Sequence, residues 1–84
     1  MAWRIVRQPS GLYARFADPV DDFTHYDMTR VEVLRFCIDE LGLSAGVDKV
    51  VSAEAFPERY QDELSRIEAA HGKQRREEIE KKTH

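Results

Sequence analysis

Cysteine is nearly absent from this 84-residue chain: Cys37 stands alone, so no disulfide can form within it. No CxxC or HxxxH spacing occurs either, which argues against a zinc staple. Glycine and proline are scarce, at four and three residues, and no glycine-rich phosphate loop is present. No apolar run approaches the roughly 18 residues that a membrane span needs. The opening "MAWRIVRQPS" lacks the apolar centre of a secretion signal. Neither sign of charge dominates. The net charge is −3 with 35% of residues charged, a balance that argues against a dedicated nucleic-acid binder. A lone thiol in such a chain points to a reducing cytoplasm. A chain of this length forms one small domain, whose stability rests on its core or on a second copy.

What is present begins with two short β-patterned runs, "AWRIVR" (2–7) and "LYARFA" (12–17), separated by "QPSG". Pro9 presets the second position of a turn and Gly11 suits its close, so a β-hairpin is expected. Two registers compete. A bulge at Gly11 pairs Val6 with Ala14 and puts Leu12, Ala14 and Phe16 on the Val6 face. The hydrophobic pattern instead groups Trp3, Ile5, Ala14 and Phe16 as core. A slip of one residue separates the two. Asp18-Pro19 ends the second strand, and residues 18–28 read as a loop with Phe23 and Tyr26 as anchors.

"TRVE" (29–32) is a capping box, with Met28 and Val33 placed as a hydrophobic staple. It opens a helix over 30–41 whose stripe is Val31, Leu34, Ile38 and Leu41, widened by Val33 and Cys37 and stopped at Gly42. "LSAG" reads as a loop. "VDKVVSAE" (47–54) is β-branched and short enough to return as a third strand. From Pro57 the chain reads as one long helix with Tyr60, Leu64, Ile67 and His71 on one face. Gly72 interrupts it at a cost of about 1 kcal/mol. The expected architecture is α+β of order β-β-α-(β)-α, with helix 30–41 and the last helix covering one sheet face. Residues 1–72 form the domain. Residues 73–84 form a charged helical or frayed tail, whose removal leaves the core folded.

Three groups of residues invite a functional reading. Asp21, Asp22 and His25 supply metal-ligand chemistry, yet no calcium-loop or HExxH spacing frames them. Local backbone capping accounts for such residues in loops. Cys37 lies late in a helix on the apolar stripe, which suits a buried thiol rather than a nucleophile. Arg4, Arg7 and Arg15 with the tail's Lys73, Arg75, Arg76, Lys81 and Lys82 could touch phosphates, giving a weak nucleic-acid-binding alternative. Interleaved acids favour pairing along the helix instead, Arg76 with Glu80 and Glu77 with Lys81. No cofactor, metal or catalytic constellation is assigned, and the chain reads as non-enzymatic.

"WRIVRQPSGLYARF" followed by "VDDFTHYDMTR" resembles small uncharacterised accessory proteins encoded by tailed phages and prophages. The likeness spans about residues 3–32 and rests on the Trp-led hairpin, the Q-P-x-G turn and "DxFTxYxMT". It implies a protein that acts on other macromolecules in a bacterial cytoplasm; inhibitors of host defence belong to that group. The expected function is therefore a protein-interaction module. Its candidate contact residues are Tyr60, Leu64, Ile67, His71, Arg75 and Arg76, and its candidate assembly is a homodimer through the C-terminal helix.

Overall fold

The computed structural model describes residues 3–84. Three strands, β1 (Trp3–Arg7), β2 (Tyr13–Ala17) and β3 (Asp22–Met28), form an antiparallel sheet in the order β1-β2-β3. Four helices follow: α1 (Arg30–Leu41), α2 (Leu43–Ala55), α3 (Arg59–His71) and α4 (Lys73–Thr83). The fold is α+β, as expected, but the order is β-β-β-α-α-α-α. Ala2, assigned to the first strand from sequence, lies outside the described residues.

The hairpin register follows the turn. Val6 faces Ala14 across the ladder, and the Gly11 amide donates to the Gln8 carbonyl at 3.0 Å. The four residues grouped by hydrophobicity are all buried, but on opposite sides. Val6, Ala14, Phe16 and Phe23 join Tyr60, Leu64, Ile67 and Ile79 in one cluster. Trp3, Ile5 and Tyr13 join Val33, Cys37, Val50 and Ala53 in another. The sheet is thus covered on both faces, α1–α2 on one and α3–α4 on the other. Alternation had suggested one buried face; a sheet between two helical layers buries both.

The third strand is not 47–54 but β3, within the segment read as a loop. β3 is an edge strand in which only Phe23 is buried, so apolar alternation is too sparse to announce it. Its pairing with β2 is irregular near Arg15, and Asp27 sits at φ 59. The buried Gln8 amide repairs this break. The Asp27 amide donates to Gln8 Oε1 at 2.7 Å, and Gln8 Nε2 donates to Asp27 Oδ1 at 2.8 Å.

Residues 47–54 are helical because their buried positions are spaced as a helix requires. Gly46, Val50 and Ala53 face inward. At Gly46 the helices nearly touch: a Cβ there would lie 2.7 Å from the Ile38 amide nitrogen and 2.8 Å from the Cys37 carbonyl carbon. This tertiary contact overrides the β preference of the valines. In α1 the capping box forms as expected, with the Glu32 amide donating to Thr29 Oγ1 at 3.2 Å and the Thr29 amide donating to Glu32 Oε1 at 3.0 Å. The α1 stripe, however, is rotated. Val33 and Cys37 are fully buried, while Val31 is 64% exposed.

The long last helix is two helices. Gly72 (φ 93, ψ 166) turns the chain between α3 and α4, and Gly42 (φ 87, ψ 169) does the same between α1 and α2. Only glycine takes this backbone region without strain. Each face of the sheet therefore carries a helical pair joined by a single glycine. The charged tail is part of the core: Ile79 and Thr83 are fully buried in α4. The Thr83 hydroxyl shares a hydrogen bond with the Tyr60 hydroxyl, and the Thr83 carbonyl accepts from Gln8 Nε2 at 3.1 Å. The domain thus extends past residue 72.

Candidate interaction surface

The residues first expected to meet a partner are mostly turned inward. Tyr60, Leu64 and Ile67 are buried against the sheet, so they cannot form the exposed stripe of a C-terminal homodimer. His71 is exposed, and its Nε2 donates to the Val20 carbonyl at 2.8 Å. Arg75 bonds Asp22, with Nη2 2.8 Å from Oδ2. Arg76 lies 3.1 Å from Glu80 and 3.6 Å from Glu68. Arg75 and Arg76 are thus paired with acids, while Lys82 Nζ lies 5.7 Å from the Tyr26 ring centroid.

The hairpin arginines do not form one basic surface. Strand alternation puts Arg4 on the face opposite Arg7 and Arg15. Arg4 is also committed. Its Nε and Nη2 donate to both carboxylate oxygens of the buried Glu63 at 2.8 and 3.1 Å, and its Nη1 donates to Asp18 at 3.0 Å. The Glu63 hydrogen bond, the largest influence, holds the Arg4 pKa above its ordinary value. This bidentate pair ties the β1 edge to α3.

The acidic stretch is dispersed. Asp21 is exposed at φ 48. Asp22 accepts from the Phe23 amide at 2.7 Å and from Arg75 Nε at 2.9 Å. His25 lies across from Arg15, with its ring 6.1 Å from that of Phe36. Among the described residues no three His, Cys, Asp or Glu side chains gather where an ion could sit. Cys37 is fully buried, and burial pushes its thiol pKa up, away from the activated thiolate that a nucleophile needs.

A cleft of about 350 Å³ lies between the hairpin turn and the start of α3, lined by Arg7, Gln8, Pro9, Gly11, Pro57, Tyr60 and Gln61. Its central polar groups serve the fold: Gln8 holds Asp27 and Thr83, and Tyr60 holds Thr83.

The outward feature that stands apart is the α1–α2 pair. Arg30 Nε donates to Glu54 Oε2 at 3.0 Å, and the Tyr13 hydroxyl donates to the same oxygen at 2.6 Å. The Arg30 hydrogen bond and then that of Tyr13 hold the Glu54 carboxyl below its ordinary range. Burial, and then the Glu54 contact, raise the Tyr13 phenol. This node fixes the start of α1 beside the end of α2, so the two run antiparallel. Four large apolar side chains of this region are exposed: Val31 (64%) on α1, Leu43 (70%) and Val51 (49%) on α2, and Phe56 (47%) just beyond α2. Leu43, Val47 and Val51 recur every four residues, one edge of a helix. Of the large hydrophobic residues exposed among the described residues, only Val20 and Tyr26 lie elsewhere. The exposed charges of the pair are mostly acidic: Glu32, Asp39, Glu40 and Asp48 against Arg35. Arg30 is held by Glu54, and Lys49 turns to the Trp3 ring.

Among the described residues no helix is long and apolar enough to cross a membrane. Comparison of the chain with protein-family models, curated proteins and solved structures finds no match.

Proposed function

We propose that this protein is a non-enzymatic protein-interaction module that docks a basic, apolar helical segment of a partner on the outer edge of α1–α2. The carrying observation is that Leu43 and Val51, two turns apart on one edge of α2, and Val31 on α1 are all exposed on a helical pair whose exposed charges are mostly acidic. Exposed apolar surface concentrated in one region marks interaction sites. A helix laid along it would bury side chains at i, i+4 and i+8. Covering one such side chain contributes about 1.5–3 kcal/mol. These acids oppose acidic partners and favour cationic ones. The phage and prophage resemblance supports an accessory role in a bacterial cytoplasm, and inhibition of a host defence component fits that role.

A helical Leu/Lys peptide is the direct probe, with a Leu/Glu peptide of the same pattern as its control. The expected result is saturable one-to-one binding of the Leu/Lys peptide, weakened at least tenfold in Leu43→Asp/Val51→Asp. No binding, equal binding of both peptides, or equal binding by the folded double variant overturns the reading. Sedimentation supplies the remaining arm. Dimerisation abolished by the same double substitution would replace partner docking with self-association.

A further inference from the structure

The chain passes from one helical layer to the other through Phe56-Pro57-Glu58, the connection between α2 and α3. The cleft of about 350 Å³ lies between this connection and the hairpin turn. Backbone hydrogen bonds fix both sides. In the turn, the Gln8 amide donates to the Leu12 carbonyl at 2.8 Å and the Gly11 amide to the Gln8 carbonyl at 3.0 Å. In the connection, the Arg59 amide donates to the Phe56 carbonyl at 3.1 Å and the Tyr60 amide to the Pro57 carbonyl at 3.3 Å. Pro9 and Pro57 add a fixed φ on each side. The space is therefore formed before a ligand arrives, and little ordering is needed to fill it.

The chemistry of the lining is divided. Pro9, Gly11 and Pro57 bring no polar side chain to it. Gln8 and Tyr60 are buried and spend their polar atoms on Asp27 and Thr83. Gln61 Oε1 already accepts from Arg76 Nη2 at 3.4 Å. Arg7 is the charged residue of the lining, and it is exposed. Its Nη2 lies 3.9 Å from the point where a side chain at Gly11 would begin, so the guanidinium reaches back over the turn that borders the cleft. Among the described residues no carboxylate lies within ion-pair distance of Arg7. Its charge reaches Glu54 from beyond that distance, but this carboxylate is already held by Arg30 and Tyr13. Arg4, Arg30 and Arg75 spend their guanidinium groups on acids of the protein; Arg7 presents the same group at an open cleft.

We infer that this cleft binds a small aromatic monocarboxylate, its anion on Arg7 and its ring against Pro9 and Pro57. A guanidinium fork matches the two oxygens of a carboxylate. One unpaired cation balances one negative charge. A dianion would leave a charge over in a chain whose net charge is already −3. The apolar body follows from the prolines, whose rings offer no donor. The volume is near the lower bound of small-molecule sites, about 300–1,000 Å³, which suits one ring rather than a nucleotide or a folded segment. The inference does not rest on partner docking, since Val31, Leu43 and Val51 do not line the cleft.

Benzoate is titrated into the full isotope-labelled chain at neutral pH and constant ionic strength, followed by amide NMR spectra. Benzamide, the neutral isostere, and acetate, the charge without the ring, are parallel titrations. The expected result is a saturable movement of the Gln8, Gly11, Tyr60 and Gln61 amides with benzoate, with affinity at least tenfold weaker for benzamide and for acetate. In Arg7→Gln, which removes the cation from an exposed position, the benzoate affinity falls at least tenfold. In Arg7→Lys, which keeps the charge and removes the fork, it falls as well. Far-UV circular dichroism establishes that the variants are folded, and Arg7→Lys carries the test if Arg7→Gln is not. No saturable movement, movement centred away from these four amides, or wild-type affinity in a folded variant overturns the site. Equal affinity for benzamide overturns the anion assignment, and equal affinity for acetate overturns the ring.

Discussion

The two helical pairs share a backbone plan and differ in what they do with their surfaces. Each is closed by one glycine of nearly the same conformation, Gly42 in α1–α2 and Gly72 in α3–α4. Each covers one face of the same three-stranded sheet. The α1–α2 pair packs its backbones tightly at Gly46 and leaves apolar side chains outside. The α3–α4 pair directs its large apolar residues inward and covers its outside with ion pairs, Arg75 with Glu78, and Arg76 with Glu68 and Glu80. Exposed pairs of this kind contribute about 0–1 kcal/mol each, so their value lies in keeping that surface polar. A shared backbone device therefore fixes the layers, and side-chain allocation decides which layer leaves apolar side chains exposed.

The largest expected effect concerns α4. Truncation after Gly72 removes Ile79, Thr83 and the Tyr60 and Gln8 hydrogen bonds. It should abolish the cooperative thermal transition followed by circular dichroism. Ile79→Ala, a milder form of the same test, should cost about 2–5 kcal/mol in urea unfolding. A truncated chain that melts as sharply as wild type would return α4 to the status of a tail.

Next comes the close approach in the other pair. Gly46→Ala sets a methyl group against backbone atoms of Cys37 and Ile38, which cannot yield as a flexible side chain would. A loss of about 1–3 kcal/mol is expected, read as a lowered urea midpoint. Gly42→Ala and Gly72→Ala should each cost about 1–3 kcal/mol, and similar losses at both sites would support the equivalence of the two hinges.

Acid should loosen the α1–α2 side through Glu54. Its carboxyl titrates below the ordinary range in the folded protein, held by Arg30 and Tyr13. Such a group adds stability above its unfolded pKa and loses that contribution as pH falls through the folded value. The gap in melting temperature between wild type and Glu54→Gln should therefore be full at neutral pH and close in acid. Tyr13 acts in the opposite sense. Its raised phenol contributes below the unfolded phenol pKa, and that contribution is lost as pH rises through the folded value. A gap independent of pH would remove the node.

The smallest expected effect on stability is also the most telling for function. Leu43→Asp and Val51→Asp lie on the exposed edge and should each change unfolding free energy by no more than about 0.5 kcal/mol. The same substitutions should remove Leu/Lys peptide binding, measured by calorimetry.

Local chemistry was legible wherever a signal lies within a few residues. The Thr29–Glu32 capping box, the 30–41 helix, the Gly11 turn and the Arg76–Glu80 pair all follow from neighbouring residues. The third strand was not, because β3 is a polar edge strand with one buried residue. The helical state of 43–55 was hidden for another reason: its three valines favour strand, and only the approach of α1 to Gly46 reveals the helix. Candidate sites fared likewise. Asp21, Asp22 and His25 are close in sequence, but Asp22 pairs with Arg75, far along the chain. Arg15 and Lys49 are distant in sequence, and each reaches the Trp3 ring only in the folded chain.

By itself, the sequence determined the α1 capping box, the hairpin turn, the stop at Gly42 and the α+β composition, since each depends on torsions and hydrogen bonds within one or two turns of chain. Tertiary structure alone decided that both sheet faces are buried, that Tyr60, Leu64 and Ile67 face inward, and that Leu43 and Val51 face outward. Those outcomes depend on which layers meet, and an apolar residue carries no mark of whether its neighbour will be another part of the chain or a partner.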